Sequence, residues 1–172
     1  ELCNDEIKSK TNSILHINSA TRHSKIIPGD VIKISDKELK SLLKNTPPSK
    51  LKEDLIKGTE NPDNVELALL EITPDCDYSN IKTYNVNKFA LTYLIPNSKT
   101  KKLDKEYYKH TKIKFMYNGE EYIFIVDCRY IFSIIPKKKL IKDRIFSLRE
   151  NLFTSFRQYV YTYNSRIGTI SF

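Results

Sequence analysis

The stretch IKFMYNGEEYIFIVD, residues 113–127, constrains the fold more than any other part of the chain. Two runs rich in β-branched and aromatic residues flank Asn118-Gly119. That dipeptide suits the type I′ turn because both of its turn positions need positive φ, which asparagine and glycine reach at little cost. The pattern predicts a tight antiparallel hairpin. RYIFSII (129–135) reads as a third strand behind it, broken by Pro136 and by Lys137, Lys138 and Lys139.

Other segments carry similar signals. SILHI (13–17) is a short apolar run that suits either strand or helix. In IIPGDVIKI (26–34), Pro28-Gly29-Asp30 marks a turn, and Val31, Ile32 and Ile34 give a β-branched strand. SDKELKSLLKN (35–45) has Ser35 three residues before Glu38, the spacing of a capping box, with Leu39, Leu42 and Leu43 at helical intervals. Pro47 and Pro48 stop that helix. SKLKEDLIKG (49–58) predicts a second short helix, capped by Ser49 and closed by Gly58. VELALLEIT (65–73) is apolar enough for a central strand, and VNKFALTYLI (86–95) for another. PNSKTKKLDK (96–105) is a basic loop. From about Ile141 to Tyr163, residues Ile145, Leu148, Leu152, Phe156, Val160 and Tyr163 step by three or four. That spacing predicts one long amphipathic helix, ended by Asn164 and Ser165 and followed by a last strand in RIGTISF.

The sum is α+β. A mostly antiparallel, twisted, barrel-like sheet, of the kind seen in SH3-like barrels, carries short helical inserts and a long C-terminal helix. A chain of 172 residues fits a single domain over 1–172. The first residue is Glu1 rather than methionine, which leaves room for a missing partner domain. No stretch reaches the roughly 18 to 20 apolar residues that cross a bilayer, and ELCNDEIKSK has no apolar centre to act as a signal peptide. Cys3, Cys76 and Cys128 are an odd number without paired spacing, which points to a reducing cytoplasm rather than a disulfide framework.

Charge divides the chain. Residues 1–98 hold 13 Lys/Arg and 14 Asp/Glu, whereas residues 99–172 hold 16 and 7, so the net +8 lies wholly in the second part. Such asymmetry predicts an anionic partner, either nucleic acid or an acidic protein surface. The candidate binding residues are Lys99, Lys101, Lys102, Lys105, Lys109 and Lys112, interleaved with Tyr107 and Tyr108 as stacking groups. Lys137, Lys138, Lys139, Lys142, Arg144 and Arg166 complete the set.

Several chemistries are excluded. Gly29, Gly58, Gly119 and Gly168 are scattered, so neither a phosphate-cradling P-loop nor a dinucleotide-binding turn is present. Gly-x-Ser-x-Gly, CxxC and HExxH are absent, and no cofactor is expected. Cys76 lies between Asp75 and Asp77, whose negative charge disfavours the thiolate that a nucleophile needs. It reads as a buried plug in an acidic turn. One catalytic alternative survives, a metal-dependent nuclease or hydrolase using Glu71, Asp75, Asp77 and Asp127, should these converge. A protein-interaction subunit is the third reading. ITPDCDY, VDCRYIFSI and YNSRIGTISF together give the chain the texture of small bacterial accessory proteins from defence or signalling loci, and no residue role transfers from that likeness.

Overall fold

A computed structural model describes residues 7–8, 10–13, 17–19, 25–44, 46–56, 61–74, 76–77, 86–101, 103–110 and 114–167. Among these residues eight strands form one curled, half-barrel antiparallel sheet: β1 Ile17–Ser19, β2 Asp30–Lys33, β3 Glu66–Glu71, β4 Asn87–Pro96, β5 Tyr108–His110, β6 Phe115–Tyr117, β7 Glu120–Ile134 and β8 Arg144–Leu148. Their order is β1-β8-β2-β3-β4-β7-β5, and β6 also pairs with β7. The α-helices with both ends described include α1 Asp36–Leu43, α2 Pro48–Glu53, α3 Lys138–Lys142 and α4 Glu150–Ile167.

The central strands are covered on both faces, which is why β3 and β4 read as continuous apolar runs rather than as alternating ones. On one face Ile32, Leu67, Leu69, Phe89, Leu91, Tyr93 and Ile125 pack under Leu39, Leu51 and Leu55 of the α1–α2 layer. On the other, Val31, Ala68, Leu70, Ala90, Phe124, Val126 and Cys128 pack under Phe153, Phe156 and Val160 of α4. The Phe124 ring meets Phe156 edge-on at 5.3 Å.

The hairpin forms as its turn residues predict. Asn118 has φ 50° and Gly119 φ 83°, and β6 pairs with β7 through Phe115–Tyr122 and Tyr117–Glu120. Ser35 and Glu38 form the reciprocal capping box of α1. Gly29, at φ +88°, makes the turn into β2, and a Cβ there would lie 3.1 Å from the Leu148 carbonyl oxygen. No helix among the described residues is long and apolar enough to cross a membrane.

Four expectations are corrected. The helix expected from Ile141 begins only at Glu150, because Arg144–Leu148 is a strand held on one edge by β1 and on the other by β2. Two open strand edges outweigh a helical spacing that only Ile145 and Leu148 supplied in this segment. At its other end α4 continues past Asn164, whose side-chain amide donates to the carbonyls of Val160 and Cys128 instead of stopping the helix. Pro47, not Ser49, is the N-cap of α2. RYIFSII is not a separate strand but the second half of β7, which runs unbroken for 15 residues. The last strand expected in RIGTISF therefore starts inside α4, at Arg166 and Ile167, while its remaining residues 168–172 and the stop at Gly58 lie outside the described residues.

Candidate anion-binding cleft

Residues along α4 set one wall of an open cleft of about 430 Å³, and the approach to β5 sets the other. Ser155, Gln158, Tyr159, Thr162, Tyr163 and Arg166 recur at three- and four-residue intervals and so share one face of the helix, beside the stripe that carries Phe153, Phe156 and Val160 into the core. Opposite them stand Glu106 and Lys109. Strand pairing aims Lys109 here. It lies across from Val126, a residue of the face that α4 covers.

Two contacts join the walls. The Tyr159 hydroxyl donates to the Glu106 carbonyl oxygen at 2.8 Å. The Lys109 ammonium sits 4.7 Å from the Tyr159 ring centroid, a cation–π geometry. Burial raises the pKa of the Tyr163 hydroxyl above that of a free phenol. The cleft therefore offers two cationic side chains, an amide and several hydroxyls. The Glu106 side chain is its one carboxylate among the described lining. Such a set suits a ligand with several oxygen acceptors and negative charge.

The other predicted binding residues are divided by the sheet. Lys101 donates to the Glu53 carbonyl oxygen beside α2 at 3.3 Å. Lys139 is committed to Glu38 of α1, a contact that, with Ser35, holds the Glu38 carboxyl down at about 2. Lys99 is half-buried, while Lys105, Lys137, Lys138 and Lys142 are exposed. Lys102 and Lys112 lie outside the described residues. Thus Lys101 and Lys139 border the α1–α2 layer, whereas Lys109 and Arg166 line the cleft on the α4 side.

Three expected binding residues are engaged in or against the core. The Arg144 side chain is buried and ion-paired with the fully buried Asp30, its Nε 3.1 Å from Oδ2. Asp30 also accepts from the Ser147 hydroxyl and from the Ile27 amide at 2.9 Å. Tyr108 is 5% exposed and cannot stack on a base. Tyr107 is half-buried, with the Arg129 guanidinium 3.8 Å from its ring centroid.

The carboxylates of the nuclease reading are likewise committed. Asp127 is fully buried. It accepts Arg129 Nε at 2.9 Å on one oxygen, and Arg129 Nη2 at 2.7 Å and the Tyr93 hydroxyl at 3.2 Å on the other. Burial opposes the charge on Arg129, but the Asp127 hydrogen bonds outweigh it and raise the guanidinium pKa. This pair sits where β7 bulges, since Leu91 pairs with Asp127 and Ala90 with Ile131. Glu71 is buried at the end of β3, where Oε1 accepts from the Thr73 amide at 3.2 Å and from Asn87 Nδ2 at 3.0 Å. Burial pushes its carboxyl up to about 7, partly countered by those two donors. Asp77 is exposed and paired with Lys88 at 3.0 Å, and Asp75 lies outside the described residues. No three His, Cys, Asp or Glu side chains among the described residues group as metal ligands would.

Cys76 is exposed rather than a buried plug, and Cys128 is the buried thiol, pushed up to about 12 by burial and by Asp127. The cleft itself was legible as a helical stripe at 155, 158/159, 162/163 and 166. A pattern search centred on lysine runs passes over it.

The fold and cleft define an α+β domain with a polar, cation-lined groove between its last helix and an edge strand. No protein-family model, no curated protein and no solved structure matches the chain.

Proposed function

We propose that this protein is a non-enzymatic binding module for nucleic acid, which it engages through the cleft between α4 and β5. One observation carries the reading: Lys109 and Arg166, 57 positions apart in the chain, line the same polar cleft with Gln158 and two tyrosines. Their charge neutralises phosphates, and the hydroxyl and amide groups bond phosphate or sugar oxygens. The Tyr163 ring is a candidate stacking surface for an unpaired base. The net charge of +8 favours the approach of a polyanion to the molecule as a whole.

The test is fluorescence anisotropy with labelled single-stranded and duplex oligonucleotides at two salt concentrations, with and without Mg²⁺. Salt-sensitive binding without cleavage is expected. Lys109→Ala combined with Arg166→Ala should lower the slope of log K against log salt by about two, roughly one for each phosphate no longer neutralised. Lys137→Ala with Lys138→Ala should leave it nearly unchanged if the cleft is the site. Absence of binding at low salt overturns the reading, and metal-dependent cleavage replaces it with an enzymatic one.

A further inference from the structure

Among the described residues, one stretch of sheet edge has no covering strand. On the side of β7 away from β4, β6 covers the strand from Glu120 to Tyr122, and β5 covers it from Ile125 to Asp127. Next, the Cys128 amide donates to the Tyr107 carbonyl oxygen at 2.8 Å, the Cys128 carbonyl accepts from Asn164 Nδ2 at 3.1 Å, and the Arg129 amide donates to Asp127 Oδ1 at 3.2 Å. From Ile131 to Ile134 the strand pairs only with β4, through Ala90, Phe89, Lys88 and Asn87. Among the described residues no second strand lies against Arg129–Ile134. In such an edge every other residue directs its N–H and C=O outward.

Sheet proteins usually protect an edge with a charge, a proline or a covering element. Here the run Tyr130–Ile135 contains no charged residue and no proline, and Ile135 is 58% exposed. Half-buried apolar side chains stand on both faces of the edge, Phe132 and Ile134 towards the α1–α2 layer and Ile131 towards α4. A strand added here would meet apolar groups above and below itself, so its own middle must be apolar on both sides.

We propose that the Ile131–Ile134 edge of β7 is a strand-addition site for an extended segment of a partner protein, apolar in its middle and acidic at the end that meets Lys137 and Lys138. Charge selects this occupant over a second copy of the chain. Exposed Lys137 and Lys138 follow the edge directly, and each copy carries net +8, so self-pairing brings like charge together while an acidic end meets complementary charge. Main-chain hydrogen bonds would supply affinity, and the flanking charges selectivity.

The experiment uses the whole protein and a fluorescein-labelled peptide, Asp-Asp-Val-Thr-Val-Ile-Val-Asp-Asp. Anisotropy reads affinity, and hydrogen–deuterium exchange mass spectrometry reads where backbone amides become protected. Binding with new protection confined to residues 131–134 is expected. The same peptide N-methylated at alternate core amides should bind at least about tenfold more weakly, as should a version with Lys in place of Asp. No binding, equal binding of the N-methylated peptide, or protection elsewhere overturns the proposal. Sedimentation showing a dimer whose 131–134 amides are already protected overturns it in favour of self-association. Equal binding of the Lys-ended peptide removes the acidic requirement and with it the stated partner.

Discussion

Glu71→Gln is the sharpest test of the interior. The Glu71 carboxyl is buried beside Asp30, Thr73 and Asn87, and its Oε2 has no hydrogen-bond partner among the described residues. Burial, countered by the Thr73 and Asn87 donors and reinforced by Asp30, moves its pKa from 4.5 to about 7. The folded state therefore binds the proton more tightly than the unfolded chain. At about 1.4 kcal/mol per tenfold change in proton affinity, the difference is worth about 3 kcal/mol.

Below pH 4.5 the group is neutral in both states, and its burial costs no ionisation penalty. As pH rises from 4.5 towards 7, the unfolded chain releases the proton first, so stability falls. Above pH 7 the full penalty of about 3 kcal/mol applies. Glutamine is a neutral isostere whose Oε1 can still accept from Thr73 and Asn87. Urea unfolding followed by far-UV circular dichroism, at pH values from about 4 to 9, gives the difference between variant and parent, in which other titrating groups cancel. The variant should match the parent within about 1 kcal/mol at low pH and exceed it by about 2 to 3 kcal/mol above neutrality. A difference that does not change with pH would refute the burial argument for Glu71.

Other consequences follow from single contacts. Arg144→Ala should cost about 3 to 5 kcal/mol in chemical unfolding, because it leaves Asp30 buried without its cation; a loss of oligonucleotide affinity at unchanged stability would instead return Arg144 to the surface set. Gly29→Ala should destabilise by about 1 to 3 kcal/mol, since φ +88° strains any L side chain and the Leu148 carbonyl oxygen stands in the way. In thiol labelling of the native protein, read by peptide mass spectrometry, Cys76 should react readily, whereas Cys128 should react only with unfolding.

Where local chemistry dictates structure, the sequence is a good guide. Asn118-Gly119 accepts positive φ, Ser35 and Glu38 satisfy each other's neighbouring amides, and Val65–Thr73 is too apolar to be anything but central. These signals act within a few residues. The boundary near Ile141 fails for the opposite reason. RIFSL fits a helix by spacing, and it becomes a strand only because β1 and β2, more than a hundred residues upstream, both present an edge to it. Strand propensity is a matter of what lies alongside, and no local window contains that neighbour. Arg144 departs from expectation on the same ground, since the burial of its side chain depends on Asp30, 114 positions upstream.

The binding residues show how a linear cluster dissolves in three dimensions. Tyr107, Tyr108 and Lys109 are consecutive; the two tyrosine rings stay together, 4.6 Å between centroids, yet strand alternation sends Lys109 to the opposite face. Tyr108 pairs across from Asp127 and joins the Arg129 network on the α1–α2 face, while Lys109 pairs across from Val126 and emerges beside α4. A run of lysines in a strand is therefore split between two faces by geometry alone, and its members meet different partners. Grouping by helical phase works better. Gln158, Thr162 and Arg166 step by four along α4 and stay on one side, so a helix keeps polar residues together where a strand divides them. If phosphate binding follows the cleft rather than the lysine count, Gln158→Ala should weaken oligonucleotide binding at constant salt slope, whereas Arg166→Ala should lower the slope by about one. Equal slopes for Arg166→Ala and the parent protein would mean that the charge acts only from a distance, and the cleft would lose its place as the site.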